Sequence, residues 1–372
     1  MRHLRRSLHQ RSSTTADVVL LGAGASAEAG VQTAFEMTDA IIRGIQSSSA
    51  AGDCDVAEAL MYVCERLRAT SLTRAGSLDV EQVFSAVELL AERDRLEVAP
   101  FIEAWHNDVD RWRAREPGSI DVFEALTKRM LVELRRQIAT KRKRTSYLEP
   151  LVRAASDPSR LKIATLNYDL AIEVAGAECG VVVHTGISKW VHSGRWRWPS
   201  SGASLLKLHG SIDWVWHHDP PTVGRLPSRF IAQSPQPEHD DGDPVLVFGL
   251  RGKLRAEGPF LSALAEFESW LETSQRLVVV GYSFRDDHVN QLIRRWTFDH
   301  RSRELVVVDP SLRDEASLSP QSDFRTTLLC HLARSGTSTG PETKLRVVPL
   351  GAADAITELF DPRTLNRDRI SI

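Results

Sequence analysis

Short polar or glycine-rich turns follow five apolar runs of this sequence, and the residues in these turns are the candidates for chemistry. They are Gly22, Ala23, Gly24 and Ser26 after the first run, Asn167 and Asp169 after the second, His209 after the third, Gly281 and Ser283 after the fourth, and Asp309 after the last. Glycines let the backbone approach a phosphate, an amide can orient a hydroxyl or a water, and a histidine can take a proton near neutral pH. Ligands of open α/β sheets bind outside the carboxyl ends of the strands, so we expect all five turns to face one cleft.

The first turn matches the pattern Gly-x-Gly-x-x-Ala of dinucleotide-binding domains, with Gly22, Gly24 and Ala27 at the defined positions. A tight strand-to-helix turn would give the same pattern. The usual nicotinamide-binding domain also carries an acid about 20 residues later, at the end of its second strand. Here a long helical stretch intervenes and the second strand ends at Asn167, which argues against the usual hydride-transfer domain.

Each later turn also has an ordinary structural interpretation. Asn and Asp are common turn residues, and His209 taken alone is more typical of a histidine packed in a core. The functional interpretation is favoured because all of these turns end strands of one predicted sheet. Aromatic residues near the third turn could stack on a ligand ring, but packing is the more common role. They are Trp190, Trp196, Trp198, Trp214 and Trp216.

The order of strands and helices predicts an α/β fold. Strands are predicted at residues 18–21, 161–165, 181–183, 205–208, 245–248, 277–280, 305–308 and 346–348. Helical spacing of apolar residues is found at 56–67, 80–90, 102–112, 123–134, 261–271 and 287–296, with Asp79 as a candidate N-cap. This alternation indicates a Rossmann-like, mostly parallel sheet with helices on both faces, plus an all-helical insertion.

The domain organisation follows from the same pattern. We expect a flexible tail at residues 1–16, a catalytic domain at 17–49 and 151–372, and the helical insertion at 50–150. Residues 218–244 are rich in Pro, Asp and Gly and predict a loop.

Composition and charge exclude several classes of protein. The chain has 372 residues and a formal net charge of −2, which favours neither nucleic acid nor membrane as a partner. Its four cysteines show no Cys-x-x-Cys spacing, so we expect no metal site and no disulfide framework. No apolar run approaches the roughly 20 residues that span a bilayer, and a cytoplasmic location is expected.

The turn segments together resemble the sirtuin superfamily, and most closely the bacterial sirtuin-like NAD hydrolases of antiphage defence. The matching segments are Gly22-Ala-Gly-Ala-Ser26, Thr165-Leu-Asn-Tyr-Asp169, Leu205-Leu-Lys-Leu-His-Gly-Ser-Ile-Asp-Trp214, and Val278-Val-Val-Gly-Tyr-Ser-Phe284 followed by Asp286-Asp287. Their order along the chain is also that of the family, and they span nearly the whole predicted sheet.

The resemblance implies a substrate and a set of roles. NAD would be the substrate, with Gly22, Ala23, Gly24 and Ser26 at the phosphates and ribose, and Gly281 and Ser283 at the nucleotide. Asn167 would hold the nicotinamide ribose or a water with Asp169 close by, His209 would be the catalytic base, and Asp309 would reach the adenosine ribose. It also implies a regulated NAD glycohydrolase that forms homo-oligomers or pairs with a HerA-like ring ATPase, while direct nucleic-acid binding is not expected.

Two departures from the family bear on the activity. Sirtuin deacylases carry a four-cysteine zinc module, which this sequence lacks. Their Gly-Ile-Pro-Asp-Phe-Arg segment is replaced here by residues 30–36, Gly-Val-Gln-Thr-Ala-Phe-Glu. Both departures argue against an NAD-dependent protein deacylase, which is the first alternative. The second alternative is a nucleotide-binding sensor or scaffold without turnover.

Overall fold

A computed structural model describes residues 16–32, 34–47, 53–69, 78–96, 109–113, 119–139, 144–218, 229–235, 242, 244–247, 258–299, 303–312, 324–334 and 343–361. The predicted tail and most of the predicted helix at 102–112 lie outside these residues.

A seven-stranded parallel sheet forms the centre of the molecule. Its strands lie in the order β10-β9-β8-β1-β2-β4-β3, and every paired neighbour is parallel. β1 therefore lies in the middle of the sheet, between β2 and β8. The strands are β1 (Asp17–Leu21), β2 (Leu161–Thr165), β3 (Val183–His184), β4 (Ala203–Lys207), β8 (Arg276–Val280), β9 (Glu304–Val308) and β10 (Lys344–Val348).

Helices cover both faces of this sheet, because the central strands are apolar on both sides. In β1, Val19 and Leu21 face one apolar cluster, whereas Val18 and Leu20 face another. The first cluster is covered by α6 (Glu149–Ala154), α7 (Ala171–Cys179) and α12 (Ala352–Phe360), and the second by α9 (Phe260–Thr273), α10 (Asp287–Asp299) and α11 (Phe324–Arg334). The predicted α/β class, with a mostly parallel sheet and helices on both faces, is confirmed.

A layer of four helices lies between β1 and β2 in the chain, and we refer to it as the helical module. It consists of α2 (Ala34–Gln46), α3 (Asp53–Ala69), α4 (Val80–Ala91) and α5 (Val122–Ala139). The four helices share one apolar cluster with residues such as Ile41, Leu60, Phe84 and Leu134. The packing does not follow the predicted bounds of the insertion, residues 50–150. α2 precedes residue 50 but packs in the helical module, whereas Leu148 and Leu151, at the other bound, pack against the sheet.

A second, three-stranded antiparallel sheet follows His209 directly. Its order is β6-β5-β7, with β5 (Gly210–His218), β6 (Arg229–Gln233) and β7 (Pro244–Leu246). The predicted loop at 218–244 is therefore wrong for residues 229–233. The strand predicted at 245–248 exists as β7, but it belongs to this small sheet and not to the parallel one.

Two further α-helices are short: α1 (Ala23–Ser26) after β1, and α8 (Ile187–Ser193) after β3. The tryptophans near α8 have packing roles. Trp214 is fully buried, and the ring of Trp196 stacks on that of Trp198. None of these five tryptophans lines the cleft at the carboxyl ends of the central strands, in agreement with the packing interpretation.

Among the described residues, no helix is both long and apolar enough to cross a membrane.

Candidate functional site

A cleft of about 280 Å³ lies at the carboxyl ends of the central strands. It is lined by nearly all of the predicted site residues: Gly22, Ala23, Gly24, Ser26, Asn167, Asp169, His209, Gly281 and Ser283. They meet there because β1, β2 and β8 are adjacent and parallel, and because the residues after β4 lie next to the end of β2. The expected convergence of the first four turns is thus present in the structure, whereas the chemical roles of these residues remain predictions.

The turns after β1 and β8 are pressed together, and glycine is required at their contact. A Cβ atom on Gly22 would lie 2.6 Å from the carbonyl oxygen of Gly281, and one on Gly281 would lie 2.4 Å from the amide nitrogen of Ala25. Gly281 also has a φ of +61°, in the left-handed region that favours glycine. The helix that follows the β1 turn, α1, has only four residues. These glycines therefore have a packing role independent of any ligand.

The side chain of Asn167 is held by the β1 turn. Its amide Nδ2 donates to the carbonyl oxygen of Gly22 at 2.9 Å and to Oγ of Ser26 at 2.8 Å. Its backbone N–H donates to Oγ1 of Thr165 at 3.0 Å. No donor among the described residues reaches the amide oxygen Oδ1. Asn167 is therefore fixed with its acceptor oxygen left available to a ligand or a water.

The ring of His209 forms a hydrogen bond that the sequence analysis did not anticipate. Its Nε2 lies 2.9 Å from Oδ2 of Asp286, and both side chains are buried. Tyr168 lies beside the ring, with 6.2 Å between the two ring centroids. The sequence analysis assigned Asp286 no role of its own, although an Asp directly before a helix is typical of an N-cap. His209 and Asp286 together form a buried imidazole–carboxylate pair in the cleft.

Asp169 has a structural role in the cleft wall. Its Oδ1 accepts a hydrogen bond from the backbone N–H of Ala171 at 2.8 Å, at the start of α7. Its backbone oxygen accepts from Nζ of Lys207 at 2.6 Å, and Lys207 also donates to Ser211 and Glu173, each at 2.8 Å. The Lys207 side chain is fully buried. This lysine therefore ties the turn that carries Asn167 to the residues that follow His209.

Burial shifts the ionisation of several groups around the site. It raises the pKa of the Glu173 carboxyl above its ordinary value, and the nearby Lys207 ammonium opposes that shift. The pKa of the Tyr168 phenol is raised well above its ordinary value, mainly by burial and further by nearby carboxylates. The same causes raise the pKa of Tyr282. Both phenols therefore stay neutral at physiological pH.

The opposite wall of the cleft is contributed largely by the helical module. Asp79 caps α4 by accepting from the backbone N–H of Glu81 at 2.9 Å, as predicted, and Glu81 lines the cleft beside it. Asp79 also forms an ion pair with Arg285 at 2.8 Å, which connects this wall to the turn after β8. Apolar side chains complete the wall: Met37, Val80, Leu134 and Ile138. The sequence analysis treated this region only as a helical insertion and did not place it in the cleft.

Gln32 is a further lining residue that was not among the predicted site residues. Its Oε1 is buried and has no hydrogen-bond partner within the described part of the chain. An unsatisfied buried acceptor is costly, so a donor from a ligand or a water fits this position. The sequence signal for it was the unusual segment at residues 30–36.

Asp309 is the one predicted site residue that does not line the cleft. Its Oδ1 accepts from the backbone N–H and the hydroxyl of Ser311, at 2.8 and 2.6 Å. Its Oδ2 forms an ion pair with Arg325 at 2.8 Å. The carboxylate is therefore engaged in its own turn, and the structure does not bring it to the other candidates.

Over the part of the chain that the structure describes, no group of three or more His, Cys, Asp or Glu side chains could hold a metal ion.

Comparison with known proteins shows that part of the chain is similar to a known family. Residues 161–317 match the family model of the SIR2-like domain. The match contains the turns of Asn167, His209 and Gly281, but neither the β1 turn nor the helical module. No curated protein matches the sequence significantly.

Several solved structures are similar over most of their length. A mutant Sir2 homologue in complex with 2′-O-acetyl-ADP-ribose is 13% identical, with a TM-score of 0.43 and coverage of 96% of this chain and 94% of that chain. A complex of a Sir2 homologue with NAD is 14% identical, with a TM-score of 0.43 and coverage of 96% and 92%. Scores this low support no conclusion about this chain.

Proposed function

Because residues 161–317 match the family model of the SIR2-like domain, we propose that the chain hydrolyses NAD to nicotinamide and ADP-ribose. The observation that carries the proposal is the meeting of the Asn167 amide, the His209–Asp286 pair and the glycine turns of β1 and β8 in one cleft. Asn167 offers an oriented hydrogen-bond acceptor, and His209 offers a proton acceptor. The glycine turns let the backbone come close to a diphosphate, and together these three features match the chemistry of cleaving NAD.

The proposed reaction breaks the bond between ribose C1′ and the pyridinium nitrogen. The electron pair of that bond neutralises the nicotinamide nitrogen, and the oxygen of a water forms the new bond to C1′. His209 receives the proton from this water, as a general base. Oδ1 of Asn167, which the structure leaves available, accepts a hydrogen bond from a ribose hydroxyl or from the water.

Charge in the cleft suits this reaction. The sugar develops oxocarbenium character as the bond breaks, as in glycoside hydrolysis. Negative side chains placed where positive charge develops stabilise a transition state. The lining contains four carboxylates, those of Asp79, Glu81, Asp169 and Asp286, and Arg285 is its only Lys or Arg among the described residues.

The walls of the cleft also fit the nicotinamide group. The apolar side chains of the helical module offer a surface to a flat ring, and Oε1 of Gln32 is a buried acceptor without a partner in the described structure. The carboxamide of nicotinamide carries two N–H donors, so it matches that acceptor.

The direct test is to incubate the purified protein with NAD and to quantify nicotinamide and ADP-ribose by chromatography. A parallel reaction contains an acetyl-lysine peptide. We expect nicotinamide release without the peptide, with ADP-ribose as the other product. Release that requires the peptide and yields acetylated ADP-ribose would favour a deacylase, whereas NAD binding without turnover would favour a sensor or scaffold.

We further propose that assembly regulates this activity in an antiphage defence effector of the cytoplasm. A freely active NAD hydrolase would drain the cofactor of its own cell, so the isolated chain should be weakly active. The helical module lines the cleft, so a partner that binds it can alter the site. By the family resemblance, the partner is a second copy of the chain or a HerA-like ring ATPase.

The assembly proposal is tested by measuring mass and NAD turnover across a concentration series, with and without the product of the neighbouring gene. We expect turnover per chain to rise together with the assembled fraction. Full turnover by a species that stays monomeric would contradict this proposal without affecting the proposed reaction.

A further inference from the structure

The two nitrogens of the His209 ring have different surroundings. Nε2 lies 2.9 Å from Oδ2 of Asp286, and the two side chains are only 11% and 5% exposed. For Nδ1, the described residues provide no hydrogen-bond partner. The ring lines the cleft through its remaining surface, with Tyr168 beside it. The two nitrogens are therefore not interchangeable.

A carboxylate can only accept hydrogen bonds, so the proton of a neutral His209 ring must lie on Nε2. The lone pair then lies on Nδ1. We propose that Asp286 is a positioning residue, which makes Nδ1 of His209 the atom that receives the proton from water. The catalytic part of this inference rests on the proposed function, whereas the assignment of the tautomer rests on the geometry alone.

The orientation of Asp286 is itself fixed by the start of α10. Its Oδ1 accepts hydrogen bonds from the backbone N–H groups of His288 and Val289, at 2.9 and 3.1 Å. Its own backbone N–H donates to the Tyr282 hydroxyl at 3.0 Å. One carboxylate oxygen thus caps the helix while the other faces His209, so the carboxylate cannot turn away from His209 without breaking the cap.

This geometry determines what an amide would do at position 286. In Asp286→Asn, the amide oxygen must accept the hydrogen bonds from the two backbone N–H groups of the helix. An NH₂ group in that place would be a donor facing two other donors. The NH₂ group must then face Nε2 of His209, which has to become an acceptor. The ring proton moves to Nδ1, and Nδ1 can no longer receive a proton. The variant keeps the shape and the cap but reverses the tautomer.

The matched control is Asp287→Asn. It removes the same charge from the next residue of the chain, the first of α10, where the side chain is exposed and lines no part of the cleft. Both variants and the wild-type protein are labelled with ¹⁵N-histidine, and the His209 signals are assigned by their loss in His209→Gln. Long-range ¹H–¹⁵N spectra over a pH titration then report the tautomer, and NAD turnover is measured in parallel.

We expect the Nε2–H tautomer in the wild-type protein and in Asp287→Asn, and the Nδ1–H tautomer in Asp286→Asn. We expect Asp286→Asn to lose about 10²–10⁴-fold in kcat with KM nearly unchanged, as when a base holds its proton on the wrong nitrogen. Its melting temperature should match that of Asp287→Asn, because the cap is retained.

Two results would overturn the inference. An Nε2–H tautomer that persists in Asp286→Asn would show that the carboxylate does not set it. A reversed tautomer with the turnover of Asp287→Asn would show that Nδ1 is not the proton acceptor. If the wild-type protein released no nicotinamide under any condition, the proposed function and the catalytic part would fail, and the spectra would still decide the tautomer.

Discussion

The two walls of the cleft are built in different ways. The sheet wall consists of short turns fixed by backbone hydrogen bonds, such as those from Gly24 N–H to Gly281 and from Leu208 N–H to Thr165, each 2.9 Å long. The helical wall consists of side chains that project from the helical module and are placed by apolar packing. Under the proposed function, this difference predicts a division of labour, in which the sheet wall holds the reacting groups and the helical wall shapes the space for the substrate.

The strongest test of this comparison is His209→Ala in the sheet wall. We expect NAD turnover to fall about 10²–10⁴-fold, because a general base is lost, while the protein remains folded. Nicotinamide release and thermal melting measure the two effects. Wild-type turnover would refute the role of His209, whereas early melting would favour a histidine that only packs the core.

Lys207→Met tests whether the sheet wall depends on its buried charge. The change leaves Glu173, whose side chain is 23% exposed, without its buried partner, and breaking a fully buried pair costs about 3–5 kcal/mol as an upper bound. We expect the free energy of unfolding in urea to fall by that order. A double variant, Lys207→Met with Glu173→Leu, removes both charges and should recover much of the loss. Equal stability of the single variant and the wild-type protein would show that Lys207 does not hold the turns together.

Asn167→Ala tests the oriented amide. We expect kcat to fall about 10²–10³-fold, as when one oriented polar group is removed from a reacting centre, with NAD affinity reduced far less. Calorimetric titration separates binding from turnover. Since Asn167 also holds Gly22 and Ser26, the companion Ser26→Ala tests that contact alone. Lost binding with an unchanged single-turnover rate would count against the proposed role.

Val80→Ala tests the helical wall. Val80 is buried at the start of α4 and lines the cleft. Loss of two methyl groups should weaken substrate contact, at about 0.8 kcal/mol for each buried carbon. We expect a rise in KM of about tenfold with little change in kcat, provided that the wall only shapes the site. A kcat loss as large as that of His209→Ala would remove the distinction between the two walls.

The smallest effect is expected where the two walls meet. The Arg285 side chain is 66% exposed, so its ion pair with Asp79 should contribute at most about 1 kcal/mol. Arg285→Met should therefore alter turnover little at high salt and somewhat more at low salt. Kinetics at two ionic strengths test this, with Arg295→Met on the outer face of α10 as the control. A salt-independent loss would indicate a direct contact of Arg285 with the substrate.

The sequence allowed the sheet wall to be predicted for a simple physical reason. Each of its residues follows an apolar run directly, and parallel strands bring their carboxyl ends to one edge, so Asn167 and His209 could be placed together without knowledge of long-range packing. The capping role of Asp79 was local in the same way, because a cap depends on neighbouring backbone groups.

The remaining parts depend on contacts between distant residues. Val80 and Glu81 reach the cleft only because the helical module packs beside the β2 turn, which no local pattern shows. β6 was missed because Arg229–Gln233 is a short strand within a segment rich in turn residues. Asp309 was predicted to be a site residue because, like Asn167, it follows a strand. In the structure its carboxylate instead binds Ser311 and Arg325.

The central position of β1 also determines when the cleft can exist during synthesis. β1 is made first, yet its two neighbours begin only at Leu161 and Arg276. At translation rates of about 5–20 residues per second, roughly 10–50 s separate β1 from its second neighbour. The helical module lies between β1 and β2, and its contacts are closer in sequence, so it can fold while the edges of β1 are still unpaired. A nascent chain thus acquires the helical wall first, and the sheet wall closes only after the ribosome has passed residue 280.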